Sequence, residues 1–390
     1  MTSKHNKFSF AVLPVLAGFF VMGFCDIVGI TSDYVQKTFG WSDAMTGFVP
    51  SMVFIWFLFL GIPIGNLINR WGRKNTVLIS MAVTVVGMAL PMIVYDSVTC
   101  MIAYAMLGIG NAILQVSLNP LLGNVVTDPK MLTSSLTAGQ VIKALSSLAG
   151  PEIVMFAIAR FGEDHWYWCF PILGAVTLLS ALWLGFTPIA REEKRASSSS
   201  VGSTFALLKD RKILLLFLGI FFIVGVDVGT NYISSKLMTE YFSWTPQQAK
   251  SAPQIYFLCR TAGALLGAFL LTRISASRYF RWNIIAAAAV TIVLMLSGHE
   301  VVSAAAIGCV GFFGSSVFSI IYSFAIQDKP EYANEISGLM ITAVAGGAVV
   351  PPLMGFAIGN MGITGGLAVI LLCILYLTFL AFSVKDSQVG

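Results

Sequence analysis

Charged residues, histidines and long polar loops are all scarce in this sequence. Only 11% of its 390 residues are charged, 57% are hydrophobic, and the mean hydropathy is +0.85. A water-soluble domain of this length could not cover its surface with so few charges, so the composition favours a fold solvated by lipid. His5, His165 and His299 lie in the amino-terminal tail or at the ends of apolar segments, which excludes an intramembrane histidine base. No GxxxxGK loop is present, which argues against an ATP-driven protein.

Cysteine pairs and metal-ligand motifs are also missing. The six cysteines are scattered through apolar segments without CxxC spacing, so the sequence predicts neither a disulfide framework nor a metal site. We expect no cofactor. Without a catalytic base, a metal cluster or an extramembrane domain, the sequence does not predict an enzyme.

Long apolar runs are abundant. A helix that crosses the hydrocarbon layer of roughly 30 Å needs about 20 apolar residues. Twelve such runs begin near Ser9, Thr46, Thr76, Thr99, Leu132, Trp168, Ile213, Ala252, Asn283, Ser303, Ile336 and Ile363. The sequence therefore predicts an all-α membrane protein with twelve transmembrane helices, the first of them retained because it is too long for a signal peptide.

Basic residues are concentrated in the tail and in alternate loops. They are Lys4, Lys7, Arg70, Arg73, Lys74, Arg191, Lys194, Arg195, Lys209, Arg211, Lys212, Arg273, Arg278 and Arg281. The positive-inside rule places these loops and both termini in the cytoplasm, in a multi-pass plasma membrane that we expect to be a bacterial inner membrane. The net charge of +5 thus reflects basic residues in loops that face the cytoplasm, and no nucleic-acid partner is expected.

One hydrophilic stretch, AREEKRASSSSVGST, begins at Ala190 and divides the chain. It predicts a flexible linker over residues 190–212 between one bundle of residues 1–189 and another of residues 213–390. The halves repeat each other: FFVMG at Phe19 recurs as FFIVG at Phe221, and the FAI after Pro151 recurs after Pro351. Such a repeat predicts two pseudo-symmetric six-helix bundles.

The loop after the second span has a recognisable motif. Residues 65–74 read GNLINRWGRK, which resembles the G-x-L-x-D-R-x-G-R-K motif of the major facilitator superfamily. This resemblance implies the major facilitator fold. Asn69 stands where the family has Asp, which keeps a hydrogen-bonding group but removes a charge. We predict Arg70, Arg73 and, at the equivalent place in the repeat, Arg273 as gating residues.

A narrower resemblance covers nearly the whole chain. Its marks are Phe19-Phe20, Gly23-Phe24, Asn119-Pro120, Arg260, Gly263 and the run from Gly346 to Pro351. These residues look like those of the fucose, galactose and glucose proton symporters. The resemblance implies sugar and proton handling by an Asp in the first span and a Glu in the fourth. Here Asp26 lies one turn before the position of that Asp, and Gln115 replaces the Glu, so proton, sodium or no coupling ion all remain open.

Polar side chains share helical faces inside the apolar spans. They are Asn111, Gln115 and Asn119 in the fourth, Asp227, Thr230, Asn231 and Ser234 in the seventh, and Ser315, Ser319, Tyr322 and Ser323 in the tenth. Such stripes are costly against lipid, so they line a hydrated cavity or, as the alternative, join packed helices. The few intramembrane ionisable residues, each costing roughly 2.5–3.5 kcal/mol at the bilayer centre, are Asp26, Lys143, Glu152, Asp227 and Arg260.

These patterns define a candidate site. We predict as substrate-binding residues Asp26, Asn111, Gln115, Gln140, Lys143, Asp227, Asn231, Tyr256 and Tyr322. Asp26 and Asp227 are the candidates for proton coupling. Lys143 either pairs with Asp26, which we favour, or contacts a substrate carboxylate.

Amide and hydroxyl groups that both donate and accept suit a sugar. The sequence therefore predicts a monomeric secondary active transporter in a lipid bilayer that imports a small polar solute, foremost a neutral monosaccharide, by proton-coupled alternating access. The alternatives are transport of a sugar acid or another organic anion, a non-coupled facilitator, drug export, and a non-transporting sensor of the same fold.

Overall fold

The computed structural model describes residues 10–41, 43–192, 200–249 and 251–384. Lys4, Lys7, Lys194 and Arg195, which contribute to the predicted orientation, lie outside these ranges. Within them the regular secondary structure is entirely helical.

The twelve predicted spans correspond to twelve helical regions, here α1 to α12. In the first half these are α1 (Val12–Met22, Gly23–Ile27 and Val28–Phe39), α2 (Asp43–Trp71), α3 (Arg73–Ile93), α4 (Ser97–Val125), α5 (Pro129–Phe161) and α6 (Glu163–Trp168 and Cys169–Phe186). In the second half they are α7 (Arg211–Phe242), α8 (Ser251–Leu270), α9 (Ala276–Leu296), α10 (Glu300–Gly314 and Val317–Asp328), α11 (Pro330–Tyr332, Ala333–Thr342, Ala343–Ala345 and Gly346–Met361) and α12 (Ile363–Ser383). By length and composition, nine helices among the described residues could cross a membrane. The prediction of an all-α membrane fold is confirmed.

Capping residues explain several helix starts. Asp96 accepts a hydrogen bond from the backbone N–H of Thr99 at 2.7 Å and begins α4, and Asp210 accepts one from Lys212 N–H at 2.8 Å and begins α7. Side-chain oxygens at this position satisfy N–H groups that have no partner inside the helix. The tight turn before α3 needs the positive φ of 87° at Gly72, which only glycine adopts without strain.

Three of the helices are interrupted. In α1 a 3₁₀ turn at Gly23–Ile27 separates two α-helical segments, and in α11 another occurs at Ala343–Ala345. In α10 the α-helix stops at Gly314 and resumes at Val317. Short 3₁₀ segments inside a helix often mark functional positions. The apolar periodicity of the sequence did not predict these interruptions.

The helices form two compact units. Unit one contains the described residues of Met1–Asp128 and Ile142–Ser198, and unit two contains those of Pro129–Val141 and Ser199–Gly390. In unit one α4 packs on α2 and α3, and α3 packs on α6; in unit two α10 packs on α8 and α9, and α9 packs on α12. These contacts are equivalent under the sequence repeat. The first part of α5 is grouped with unit two, and the predicted division at residues 189 and 213 remains a prediction.

A glycine from the repeated FFxxG motif allows a close helix crossing in each unit. A Cβ on Gly23 of α1 would lie 2.5 Å from the Lys143 carbonyl oxygen of α5, and one on Gly225 of α7 would lie 2.4 Å from Val350 of α11. The second crossing also needs Gly346, whose Cβ would lie 1.9 Å from the Phe221 carbonyl oxygen. Small residues allow membrane helices to approach closely. The repeat therefore preserves a packing contact.

The predicted linker is more ordered than expected where the structure describes it. Residues Val201–Ala206 form a short helix, Leu207–Lys209 a 3₁₀ turn, and α7 begins at Arg211. Ser200 caps the short helix, because its hydroxyl accepts a hydrogen bond from Ser203 N–H at 3.1 Å. Residues 193–199 lie outside the description.

Candidate functional site

An ion pair lies midway along α7 and α8 in unit two. Asp227 Oδ1 lies 2.9 Å from Arg260 Nε and accepts a hydrogen bond from the Tyr256 hydroxyl at 2.5 Å. Tyr256 and Arg260 are one helical turn apart on α8, so both reach α7 from the same face. The side chains of Arg260 and Asp227 are 31% and 27% exposed, whereas Tyr256 is buried. Two predicted binding residues, Asp227 and Tyr256, are thus in direct contact, and Arg260 pairs with the same carboxylate oxygen.

Asn231 lies one turn beyond Asp227 on α7. Its side chain is half-buried, and among the described residues it has no side-chain hydrogen bond. Ser234 instead donates to the Asn231 backbone carbonyl at 2.8 Å. The Asn231 amide therefore has donors and an acceptor available for a solute.

In unit one, Asp26 lies in the interruption of α1. Its carboxylate is exposed and accepts a hydrogen bond from the Ser147 hydroxyl of α5. Lys143, one turn before Ser147, is half-buried. The ion pair that we favoured between Asp26 and Lys143 is not among those formed by the described residues. Ser147 donates to Asp26 Oδ2, and the Cys25 thiol donates to Asp26 Oδ1 at 3.4 Å. Spacing along α5 could not distinguish these two neighbours on one helical face.

The polar stripe of α4 is buried and largely satisfies itself. Asn111 donates to the Met22 carbonyl oxygen of α1 at 2.7 Å, Gln115 donates to Asn111 Oδ1 at 2.8 Å, and Asn119 donates to the Gln115 carbonyl at 2.9 Å. Asn111 and Gln115 are only 3% and 6% exposed. Asn111 therefore joins α4 to α1, while the other two bonds lie within α4; the role of this stripe in substrate binding remains a prediction. Its link to Met22 attaches α4 to the residue just before the α1 interruption.

The remaining predicted binding residues lie in unit two. Tyr322 of α10 is fully buried, and its hydroxyl donates to Ser337 of α11. Gln140, on the part of α5 that belongs to unit two, is half-buried. On the same part of α5, Thr133 shares a hydrogen bond of 2.6 Å with Ser323 of α10. Within the α10 stripe, Tyr322 and Ser323 therefore contact α11 and α5, whereas Ser315 bonds within its own helix, to Phe312.

The predicted gating residues have different environments. Arg73 donates to the Pro120 carbonyl at 3.1 Å and to Asn124 Oδ1, which fixes it to the end of α4. Arg70 is exposed, and Arg273 is exposed with its guanidinium 4.5 Å from the centre of the Phe269 ring. Their role in gating remains a prediction.

Two crossed ion pairs join the start of α7 to the loop between α10 and α11. Lys329 Nζ lies 2.5 Å from Asp210, and Lys212 pairs with Asp328. The hydrogen bond from Lys329 lowers the pKa of Asp210 below its usual 3.8, and the same bond raises the pKa of Lys329 above its usual 10.5. Both shifts favour the charged forms.

Sequence reasoning left Ser147, Arg260 and Glu335 out of the predicted binding set. Ser147 gave no signal beyond its proximity to Lys143. Arg260 was noted as an intramembrane charge and as one of the residues that resemble the sugar symporters. Glu335 of α11, which lies just before the predicted start of the eleventh span near Ile336, is 1% exposed. Glu152, another intramembrane charge, is exposed. Among the described residues, no three His, Cys, Asp or Glu side chains cluster as metal ligands.

Known proteins resemble this chain over almost its whole length. A glucose/galactose transporter of Brucella abortus is 23% identical over 398 residues, which cover 97% of this chain and 95% of that protein. Among solved structures, the fucose:proton symporter of E. coli has a TM-score of 0.85 at 16% identity, covering 98% of this chain and all of that one. A human organic anion transporter has a TM-score of 0.78 at 14% identity, covering 97% of this chain and all of that one.

These structural likenesses show that the fold is shared. The family model of the Major Facilitator Superfamily matches residues 15–352. With the twelve helical regions and the repeated halves, this match shows that the chain is a multi-pass membrane protein that belongs to the Major Facilitator Superfamily.

Proposed function

We propose that this protein is a secondary active transporter that imports a neutral monosaccharide with a proton by alternating access. The observation that carries the proposal is the partial exposure of Asp26, Lys143, Asp227, Asn231 and Arg260 midway along otherwise apolar helices. Charged groups at this depth are costly against lipid, so they face water, a partner or a solute. Carboxylates, amides and a guanidinium are suitable partners for the hydroxyls of a sugar.

In each unit, taken by itself, these charges favour a neutral solute. Asp26 and Lys143 in unit one, like Asp227 and Arg260 in unit two, comprise one formal negative and one formal positive charge. A neutral sugar can bind beside such a set without adding an uncompensated ion in a low-dielectric region. The glucose/galactose transporter of Brucella abortus, matched over 97% of this chain, supports the same class of substrate.

Coupling to a proton requires a carboxylate whose protonation alters the local charge balance. Asp26 is exposed and accepts a hydroxyl hydrogen bond, whereas Asp227 is already paired with Arg260. Protonation of Asp26 would break no ion pair among the described residues. We therefore propose Asp26 as the principal coupling group and Asp227 as the group whose pairing with Arg260 responds to the solute.

The orientation and location are part of the proposal. The basic residues around the start of α3 and the start of α7 favour a cytoplasmic linker and cytoplasmic termini; they are Arg70, Arg73, Lys74, Lys209, Arg211 and Lys212. We propose a bacterial inner membrane as the location and a monomer as the working form.

Uptake into proteoliposomes tests the function. The purified full chain is reconstituted, and accumulation of radiolabelled D-galactose and D-glucose is measured with and without an inward proton gradient. We expect accumulation above equilibrium only with the gradient, and competition by the other hexose. Equal uptake in liposomes without protein would contradict the proposal, and uptake that merely equilibrates would replace the symporter with a facilitator.

A second candidate is transport of a sugar acid or another organic anion. It is favoured by Lys143, which has no ion pair with a carboxylate among the described residues and lies on the same face as Gln140. Competition by D-glucuronate in the same assay separates the two. Strong inhibition by glucuronate, lost in Lys143→Gln, would support the anion transporter, and inhibition by hexoses alone would support the sugar transporter.

A further inference from the structure

The turn between α2 and α3 carries a dense positive charge with no acid near it in sequence. Arg70, Arg73 and Lys74 flank this turn, and no Asp or Glu occurs between Asp43 and Asp96. The start of α3 adds the partial positive charge of a helix amino terminus. Its N-cap is Gly72, which has no side chain to accept the first N–H groups. Any negative charge that stabilises this turn must come from elsewhere in the chain.

Glu192, at the start of the linker, supplies that charge. Its Oε1 accepts a hydrogen bond from the Arg73 backbone N–H at 2.7 Å, and its Oε2 accepts one from Asn124 Nδ2 at 3.2 Å. Asn124 Oδ1 in turn accepts a hydrogen bond from the Arg73 guanidinium. One carboxylate therefore caps α3 and connects it to the end of α4.

The neighbouring contacts continue the same attachment. Arg191 Nη2 donates to the Arg70 carbonyl oxygen at 2.7 Å, and the Ala190 carbonyl accepts from Asn124 Nδ2 at 3.2 Å. Lys74 Nζ donates to the carbonyl oxygens of Gly185 and Thr187, at 2.9 and 2.8 Å, where α6 ends. Hydrogen bonds therefore hold residues 190–192 against the rest of unit one.

We propose that Glu192 is a positioning residue that orders the turn between α2 and α3 and fixes it to α4. Because its carboxylate accepts a hydrogen bond from the α3 amino terminus, the order of this turn depends on the position of the linker. Linker movement would release the Arg73 N–H and the Asn124 amide together. The proposal concerns the order of unit one and does not depend on which solute the protein carries.

Hydrogen exchange measured by mass spectrometry tests this proposal on the purified full chain. Glu192→Gln keeps the shape of the side chain and removes its charge. We expect amide exchange in peptides that cover residues 70–76 to accelerate about tenfold, because a charge-assisted hydrogen bond becomes a neutral one. Glu163→Gln is the matched control. It removes an exposed carboxylate at the opposite end of α6 and should leave this exchange unchanged.

Glu192→Asp separates charge from side-chain volume. It retains the carboxylate on a side chain shorter by one methylene, and we expect it to keep most of the protection at residues 70–76. A Glu192→Gln chain that fails to fold beside a folded and protected Glu192→Asp chain would support the same requirement for charge. Unchanged exchange in folded Glu192→Gln, or equal acceleration in both variants, would overturn the proposal.

Discussion

The two units share a packing scheme but treat their intramembrane charges differently. In unit two, Asp227 is paired with Arg260 on the neighbouring helix and also accepts the Tyr256 hydroxyl. In unit one, Asp26 accepts a hydroxyl from Ser147 and forms no ion pair among the described residues. Helix crossings at Gly23 and Gly225 are nevertheless retained in both units. The comparison teaches that the repeat preserved the scaffold while the charged chemistry diverged.

The largest effect is expected at Gly346, where α11 packs closely against α7. Its Cβ would lie 1.9 Å from the Phe221 backbone carbonyl, which cannot move without shifting α7. We expect Gly346→Ala to cost about 3 kcal/mol or more, the upper range for overpacking, and to lower the thermal unfolding temperature in detergent. Gly359→Ala is the control, because no atom lies within 4 Å of its Cβ. Equal melting of both variants would mean that the crossing is not tight.

The charged pair of unit two is the next test. Arg260→Gln leaves Asp227 without its cation, and since both side chains are about a third exposed, we reduce the 3–5 kcal/mol typical of buried pairs to about 1–2 kcal/mol. The double variant Asp227→Asn with Arg260→Gln should recover part of this loss in a thermal double-mutant cycle. Strict additivity of the two changes would show that the pair contributes no coupling energy.

Asn111 of unit one and Asn231 of unit two both lie on polar faces of apolar spans, and they extend the comparison. Asn111 is buried, donates to Met22 and accepts from Gln115, so Asn111→Ala should lower stability by about 1–2 kcal/mol by leaving the buried Gln115 amide without its acceptor. Asn231 is half-buried without a side-chain partner among the described residues, so Asn231→Ala should change stability by less than about 0.5 kcal/mol and instead raise the KM for sugar uptake. Thermal melting and uptake kinetics measure the two effects. A loss of stability in Asn231→Ala together with a raised KM in Asn111→Ala would instead assign helix packing to Asn231 and solute binding to Asn111.

The crossed ion pairs of unit two give the smallest expected effect. Because the folded pKa of Asp210 is lowered, its contribution to stability is present above the unfolded pKa and is lost as the pH falls through the folded value, below 3.8. Because the folded pKa of Lys329 is raised, its contribution is present below the unfolded pKa and is lost as the pH rises through the folded value, above 10.5. Asp210→Asn should therefore remove less than about 1 kcal/mol between these limits, since the pair is partly exposed. Melting temperatures at neutral pH and below pH 3.8 test this, with the variant matching the wild type only at the lower pH.

The sequence predicted the helices well because span length and hydropathy are local properties. It predicted Asp227 and Tyr256 as site residues from their place in apolar spans, but it could not predict that Arg260 joins them. That contact depends on the rotation of α7 against α8, which no spacing along one helix determines. The same limit explains why we chose Lys143 over Ser147 as the partner of Asp26. The helix interruptions were missed because they depend on tertiary contacts. Such contacts supply partners for the backbone N–H and C=O groups that lose their helical hydrogen bonds.

Burial was the other property that the sequence could not supply. A stripe such as Asn111 and Gln115 has the same spacing whether it faces a solute or a neighbouring helix. Only the contact with Met22 distinguishes the two. Glu192 likewise looked like one more charge in a polar linker until its contact with the Arg73 N–H was seen.

The asymmetry between Asp26 and Asp227 is tested most directly by comparing gradient-driven accumulation with counterflow of D-galactose in Asp26→Asn proteoliposomes. Counterflow needs binding and alternating access but no proton gradient. If Asp26 is the principal coupling group, the variant keeps counterflow and no longer accumulates galactose when an inward proton gradient is imposed. Undiminished gradient-driven accumulation in Asp26→Asn would contradict this account.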